Sequence, residues 1–192
     1  MLTLCRLSEP QISLLYEQQM RRDFPPSELK HLSSILAMVR KDIYDVLGAY
    51  EEGRIVAYAL LYRPEDERVV LLDYLAVETD MRGKGIGSWL LAQLRTYYHK
   101  SAEVLLIECE RPKSAPDEAE ARKRIRFYTQ AGAVLTPVRI WLFDVEYSIL
   151  VMPCAQRMPQ KDWAEQMLRL YRQMLPKELY DAKVRLLRGN DK

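Results

Sequence analysis

The chain has 192 residues, of which 48 % are hydrophobic and 29 % are charged, as in an ordinary soluble globular protein. Its formal net charge is +2, and because no long run of like charges occurs, a nucleic-acid partner is not expected. No stretch resembles a signal peptide or a membrane span, and three widely spaced cysteines without metal-ligand spacing favour a reducing, cytoplasmic setting with no bound metal.

The first part of the chain is predicted to form one strand and two helices. Residues 2–7 alternate weakly, as in a strand, and apolar residues recur at helical spacing over 12–22 and 27–40. The pair Pro25–Pro26 must separate the two helices. Ser27 is a suitable N-cap for the second helix.

Three strands, a helix and a fourth strand are predicted next. Two apolar segments flank Glu51–Arg54, which is a hairpin pattern. The run VVLLDYLAV (69–77) contains a single acid, as is typical of a strand buried on both faces. The stretch MRGKGIGSWLL then leads into a helix that ends at about Lys100, and VLLIECE (104–110) is a short buried strand.

The following elements complete a mixed α/β pattern. A helix is predicted from about Pro116 to Ala131, with Ser114 or Ala115 at its start and Gly132 as its C-cap. Two strands follow, at 134–143 and 146–152, and Pro137 indicates an edge or a bulge in the first of them. This order of elements predicts a mixed sheet with helices on both faces.

The last forty residues are predicted to form two helices. The second is expected to begin at Pro176 and to end near Leu187. An amphipathic helix of this kind docks on its own domain, forms a dimer contact or covers a binding groove. We therefore divide the chain into a domain at 1–152 and a C-terminal helical extension at 153–192. The apolar face of the first of these helices consists of Trp163, Met167, Leu170, Tyr171 and Met174.

The stretch from Arg82 to Gly87 has the features of an anion-binding turn. Glycines between a buried strand and a helix let backbone amides approach a ligand closely, and the helix dipole adds positive potential. A P-loop requires Ser or Thr directly after the lysine, whereas Gly85 follows Lys84. The dinucleotide fingerprint requires a third glycine where Ser88 stands.

The six residues RGKGIG match the R/Q-x-x-G-x-G/A signature of the GCN5-related N-acetyltransferases (GNAT). The preceding LDYLAVETDM resembles the fourth strand of that family, and YEEGRIVAYALLY resembles its second and third strands. RFYTQAGA is similar to its last core helix and YSILVMP to its final strand. The resemblance covers roughly residues 1–152. It implies a splayed, mostly antiparallel sheet flanked by helices, here with the C-terminal helical extension.

The resemblance implies acetyl-CoA as the cofactor. The backbone amides from Arg82 to Ser88 would hold the pyrophosphate, and the main chain of Leu75 to Val77 would pair with the pantetheine arm as an added strand. The residues expected to bind the cofactor are Leu75, Ala76, Val77, Arg82, Gly83, Lys84, Gly85, Ile86, Gly87 and Ser88.

Acetyl transfer to an amine requires a base for the nitrogen and an acid for the leaving thiolate. Glu108 interrupts an apolar strand, where partial burial favours a base with a raised pKa. Asp73 interrupts the neighbouring strand in the same way and is expected to share this role or to orient the substrate. Tyr128 stands where the family often keeps a tyrosine beside the thioester sulfur. Cys109 points away from Glu108 by strand alternation, so a covalent mechanism is not expected.

We therefore expect an N-acetyltransferase that acts on a primary amine of a small molecule. A protein acetyltransferase and a non-catalytic acyl-CoA-binding sensor are the alternatives. Acceptor choice in the family comes from the segments that correspond here to DFPPSELK and to Val138–Glu146. Asp23 or Glu28 would favour a cationic amine, unless both are solvated loop acids. The identity of the acceptor and a possible homodimer stay open.

Overall fold

The computed structural model of the chain describes residues 1–64, 68–155 and 158–187. The chain divides into two compact units. The first unit comprises Met1–Glu65 and Leu72–Leu94, and the second comprises Asp66–Leu71 and Arg95–Lys192. Over the described ranges, no helix combines the length and the hydropathy that crossing a bilayer requires.

The first unit contains strands β1 (Thr3–Arg6), β2 (Tyr44–Glu51) and β3 (Arg54–Tyr62), together with most of β4 (Val69–Val77). The strands are ordered β1-β2-β3-β4, with antiparallel pairing of β1 with β2 and of β2 with β3. The turn between β2 and β3 uses the positive φ angles that a two-residue hairpin requires. The predicted hairpin and the predicted bounds of β4 are both confirmed.

The first helix of this unit is longer than predicted and changes its winding. It begins as α1 (Glu9–Leu15), continues through a π-helical turn at Tyr16–Met20 and ends as α2 (Arg21–Asp23). The unit also contains α3 (Leu32–Arg40), a 3₁₀ turn at Thr79–Met81 and the first nine residues of α4 (Ile86–Tyr98). Its core includes the fully buried side chains Ile12, Leu15, Ile35, Leu47, Leu60 and Leu90.

Helix α3 does not begin at Ser27, as the sequence predicted, but at Leu32. The residues before it are held by hydrogen bonds to Tyr74 on β4. The Lys30 amide donates to the Tyr74 hydroxyl at 3.0 Å, and that hydroxyl donates to the Glu28 carbonyl at 2.7 Å. The segment therefore folds as a turn that is held by β4.

The second unit contains the strands β5 (Val104–Glu110), β6 (Val134–Leu142), β7 (Val145–Pro153) and β8 (Val184–Leu187). They are ordered β5-β7-β6-β8, and all three pairings are antiparallel. The bounds predicted for β5 are confirmed, and those for β6 and β7 agree to within one residue at each end. The pairing of β6 with β7 shifts register around Pro137, which confirms the predicted bulge.

The helices of the second unit are α5 (Glu118–Gln130), α6 (Trp163–Met174) and α7 (Lys177–Lys183). Helix α5 begins two residues after the predicted start at about Pro116, and the cap is not Ser114 or Ala115 but Asp117, which accepts from the Glu120 amide at 2.9 Å. Gly132, with φ of 98°, follows the last turn as predicted.

The end of the chain departs from the predicted second tail helix. Helix α7 stops at Lys183, and β8 then pairs with residues 139–142 of β6. A strand this short forms because the edge of β6 is available for pairing. The local hydrophobic pattern carries no information about such a partner. Whether the domain boundary falls at residue 152 stays a prediction.

Candidate active site

The glycine-rich turn lies in the first unit, between β4 and α4. Gly83 and Gly85 have φ angles of 75° and 79°, and a Cβ at either position would meet no atom within 4 Å. In the described part of the chain, the backbone amides of residues 83–88 donate no hydrogen bond. Six consecutive unsatisfied donors at the start of a helix form a cradle that suits a phosphate. Of the amides predicted to bind pyrophosphate, that of Arg82 already donates within the protein, and binding by the others stays a prediction.

Arg82 connects the glycine-rich turn to the residues that precede it. Its amide donates to the Thr79 carbonyl at 3.4 Å, and its guanidinium Nε donates to the Val77 carbonyl at 3.1 Å. The Lys84 ammonium lies 3.5 Å from the Met81 sulfur. These contacts connect the turn to the end of β4, the strand whose residues 75–77 are predicted to pair with pantetheine.

Asp73, also in the first unit, is a paired carboxylate. The Lys30 ammonium lies 2.8 Å from its Oδ1 and 2.7 Å from its Oδ2, and the Tyr44 hydroxyl donates to it as well. The same ammonium lies 5.3 Å from the centre of the Tyr74 ring. Asp73 therefore holds the turn before α3 against β4, and it is already occupied as an acceptor.

Asp23 belongs to a second paired cluster in the first unit. Its side chain is 6 % exposed, accepts from the Tyr58 hydroxyl at 2.9 Å and lies 2.9 Å from the Arg22 guanidinium. Arg22 also contacts Glu78 at 3.0 Å. Burial, together with the neighbouring Asp23 carboxylate, raises the pKa of the Tyr58 hydroxyl, so this hydroxyl stays a donor. The interpretation of Asp23 as a solvated loop acid is wrong.

Glu108 lies on β5 in the second unit and is half-buried. The Tyr171 hydroxyl, on helix α6, donates to both of its carboxylate oxygens, at 2.8 Å each. The sequence predicts Tyr171 only as part of the apolar face of that helix, which docks on the domain, forms a dimer contact or covers a groove. No local pattern indicates a hydrogen bond between residues that are 63 positions apart.

Tyr128 and Cys109 are both buried in the second unit. Burial raises the pKa of the Tyr128 hydroxyl, which therefore remains protonated and able to donate. Burial also raises the pKa of the Cys109 thiol to about 12. A thiol with this pKa is not a nucleophile near neutral pH, in agreement with the sequence argument against a covalent mechanism.

A charged network that the sequence analysis missed lies around Glu146, at the start of β7. This carboxylate accepts from the Ser114 hydroxyl at 2.6 Å, from the Arg111 guanidinium at 2.9 Å and from the Arg139 guanidinium at 3.1 Å. The network connects the segment after β5 to the β6–β7 hairpin. Within the described residues, no group of three or more histidine, cysteine or acidic side chains has the geometry to hold a metal ion.

Known proteins resemble this chain in both sequence and fold. Residues 42–132 match the family described as "Acetyltransferase (GNAT) domain". The "Putative acetyltransferase YjbC" of Bacillus subtilis is 33 % identical over 107 residues, which are 55 % of this chain and 49 % of that protein. The chain therefore spans about half the length of this curated relative.

Two solved structures have a similar fold at low sequence identity. A GNAT-family protein from Bacteroides thetaiotaomicron superposes with a TM-score of 0.72 and 17 % identity, over 88 % of this chain and 96 % of that one. The structure of yncA from Salmonella typhimurium "with its cofactor Acetyl-CoA" superposes with a TM-score of 0.61 and 17 % identity. The superposition covers 84 % of this chain and 98 % of that one.

These similarities, together with the order of strands and helices, define the class as a mixed α/β protein with the acetyltransferase fold. The glycine turn and the family match then assign residues 42–132 to a GNAT acetyltransferase domain, as the RGKGIG signature predicted.

Proposed function

We propose that this protein transfers the acetyl group of acetyl-CoA to a primary amine of a small molecule. The observation that carries the proposal is the row of amides at residues 83–88, which donate no hydrogen bond within the described residues. Each amide–phosphate hydrogen bond contributes roughly 1.5–3 kcal/mol. Such a row of amides suits a diphosphate, and the similar fold of the YncA structure with acetyl-CoA supports this choice of cofactor.

Bound acetyl-CoA supplies an activated acyl group as a thioester. The chain itself must then remove a proton from the acceptor amine, because an ammonium has no lone pair. Deprotonating an alkylamine with a pKa of about 10.4 costs roughly 4–5 kcal/mol at neutral pH. In our proposal the Glu108 carboxylate accepts this proton, directly or through a water molecule.

The choice of Glu108 rather than Asp73 as the base rests on the charge of the partner: Asp73 is ion-paired with the Lys30 ammonium, whereas Tyr171 offers Glu108 a neutral hydroxyl. Asp73 accepts from Lys30 and Tyr44, so the ammonium and the hydroxyl would have to move before it took up a substrate proton. Asp73 instead positions the turn that precedes α3. Tyr128 is the general acid in this proposal, because its position corresponds to the tyrosine that the family often keeps beside the thioester sulfur and its hydroxyl carries a proton at neutral pH.

The proposal is tested by following thiol release from acetyl-CoA with a panel of amines. The panel contains a polyamine, an aminoglycoside, free amino acids and peptides with a lysine or a free N-terminus. We expect release with at least one small amine. Release with peptides alone would support a protein acetyltransferase, and tight acetyl-CoA binding without release on any amine would support a sensor.

The role of Glu108 is tested with Glu108→Gln. We expect turnover to fall by roughly 10²-fold or more, chiefly at mildly acidic to neutral pH, since a missing general base costs about this much. Acetyl-CoA affinity should change little. Glu118→Gln is the matched control, because Glu118 is an exposed carboxylate in an i,i+4 pair with Arg122. Unchanged turnover in Glu108→Gln would remove Glu108 from the base role.

A further inference from the structure

We propose that Tyr171 is a positioning residue for Glu108, so that the C-terminal helix α6 forms part of the catalytic machinery. This inference rests on the proposed function, in which Glu108 is the base. The Tyr171 hydroxyl keeps the carboxylate ionised and in one orientation between turnovers. Helix α6 lies outside the residues that match the family, 42–132, so the contribution comes from a segment beyond that match.

The geometry is that of a shared hydrogen bond. The Tyr171 oxygen is 2.8 Å from Oε1 and 2.8 Å from Oε2 of Glu108, so the hydroxyl faces the carboxylate between its two oxygens. A hydroxyl bound to a charged acceptor forms a stronger bond than one bound to a neutral acceptor. Since an ionised carboxylate has about four acceptor sites, the Tyr171 hydroxyl by itself does not fill them.

Helix α6 holds this hydroxyl firmly. The Tyr171 residue is 5 % exposed, and Met167 and Leu170 on the same helix are fully buried. Asp162 caps the first turn and accepts from the amides of Ala164 and Glu165 at 3.0 and 3.1 Å. Because the helix is fixed by its cap and its buried face, the phenol is placed before substrate arrives, as an efficient base requires.

The groups around Glu108 determine the direction of the expected pH effect. Helix α6 contributes Tyr171, and the register partner on β7 is the apolar Ile149. On β5 itself, Glu110 lies on the same face by strand alternation, opposite Tyr147 of β7. A neighbouring carboxylate disfavours the ionised form of Glu108, whereas the Tyr171 donor favours it. Removal of that donor should therefore favour the protonated, inactive form.

The first test is Tyr171→Phe, which removes only the hydroxyl. We expect kcat to fall about tenfold or more and the acidic limb of the pH–rate profile to move to higher pH, with little change in acetyl-CoA affinity. Tyr180→Phe is the control, since Tyr180 lies on α7 with its ring against Arg172 and should leave both quantities unchanged. The replacement is close to isosteric, and thermal unfolding of each variant confirms that it is folded.

The second test is a double-mutant cycle with Glu108→Gln. If Tyr171 acts through Glu108, then Tyr171→Phe should have almost no further effect on kcat in the Glu108→Gln background. An equal loss in both backgrounds, or an unshifted acidic limb in Tyr171→Phe, would overturn the inference while leaving the proposed function intact. Full activity of Glu108→Gln alone would instead overturn the base assignment.

Discussion

Glu146 combines burial with charge pairing in the second unit. Burial acts to raise the pKa of this carboxyl group. The hydrogen bonds from Ser114 and Arg111 and the charges of Arg111 and Arg139 act in the opposite direction and prevail, so the pKa lies below its usual range. A carboxyl group with a lowered pKa stabilises the folded state above the unfolded pKa, and this contribution is lost as the pH falls through the folded pKa.

We predict that Glu146→Gln lowers the free energy of unfolding by about 2 kcal/mol at pH 7. The difference from the wild type should shrink as the pH falls below about 4.5, because the wild-type carboxyl then becomes protonated as well. Urea denaturation at pH 7 and at pH 3.5 measures both values. The control is Glu118→Gln, because Glu118 forms an exposed ion pair with Arg122. It should lower the free energy of unfolding by no more than about 0.5 kcal/mol at either pH. A pH-independent loss in Glu146→Gln would contradict the electrostatic origin.

Helix α6 makes a contact that the sequence does not predict, in addition to the expected packing of its apolar face. The centre of its predicted apolar face is buried in the second unit, where Met167 and Leu170 are fully enclosed, and the ends of that face are half-buried. The same face includes Tyr171, whose hydroxyl reaches Glu108. One helical face therefore supplies both packing and a polar contact, and the packing fixes the position of the polar group.

We predict that Leu170→Ala lowers the free energy of unfolding by about 2–5 kcal/mol, because it removes buried methyl groups and leaves a cavity. Leu179→Ala on α7 is the control, since Leu179 is 37 % exposed and should cost well under half as much. Chemical denaturation gives both values. Equal losses in the two variants would mean that α6 is not packed as the structure describes.

At the scale of the whole molecule, the candidate functional residues divide between the two units. The first unit carries the glycine turn, Asp73 and the paired acid Asp23, while the second carries Glu108, Tyr128 and Tyr171. Any ligand that binds only the folded chain adds to its apparent stability, by an amount that grows with the logarithm of the ligand concentration relative to Kd. Acetyl-CoA binding can therefore be read from unfolding of the intact chain, independently of turnover.

We predict that acetyl-CoA at a hundred times its Kd raises the free energy of unfolding by about 2.7 kcal/mol. Gly85→Ala should reduce this increment, because an alanine at φ 79° strains the backbone of the turn that presents the amides. Gly53→Ala provides a matched control, since Gly53 has φ 82° in the β2–β3 hairpin and also meets no neighbouring atom. Gly53→Ala should lose a comparable amount of stability without ligand but keep the full stabilisation by acetyl-CoA. Equal increments in the two variants would argue against the glycine turn as the phosphate site.

The local sequence alone determined the strands β4 and β5, the β2–β3 hairpin and the glycine turn. Each depends on a run of neighbouring residues: a continuous apolar stretch, two residues with positive φ, or glycines ahead of a helix. These preferences act within a few residues, so the bounds 69–77 and 104–110 followed from the hydrophobic pattern.

Only the tertiary structure decided which polar groups meet. The Lys30–Asp73 pair spans 43 positions and the Tyr171–Glu108 hydrogen bond spans 63. The late start of α3 and the strand β8 likewise depend on distant partners, Tyr74 in one case and β6 in the other. A lysine beside an acid, or a tyrosine on an apolar helix face, has the same local pattern with or without its partner. Its role is set by which elements the folded chain brings into contact, and local preference carries no information about that.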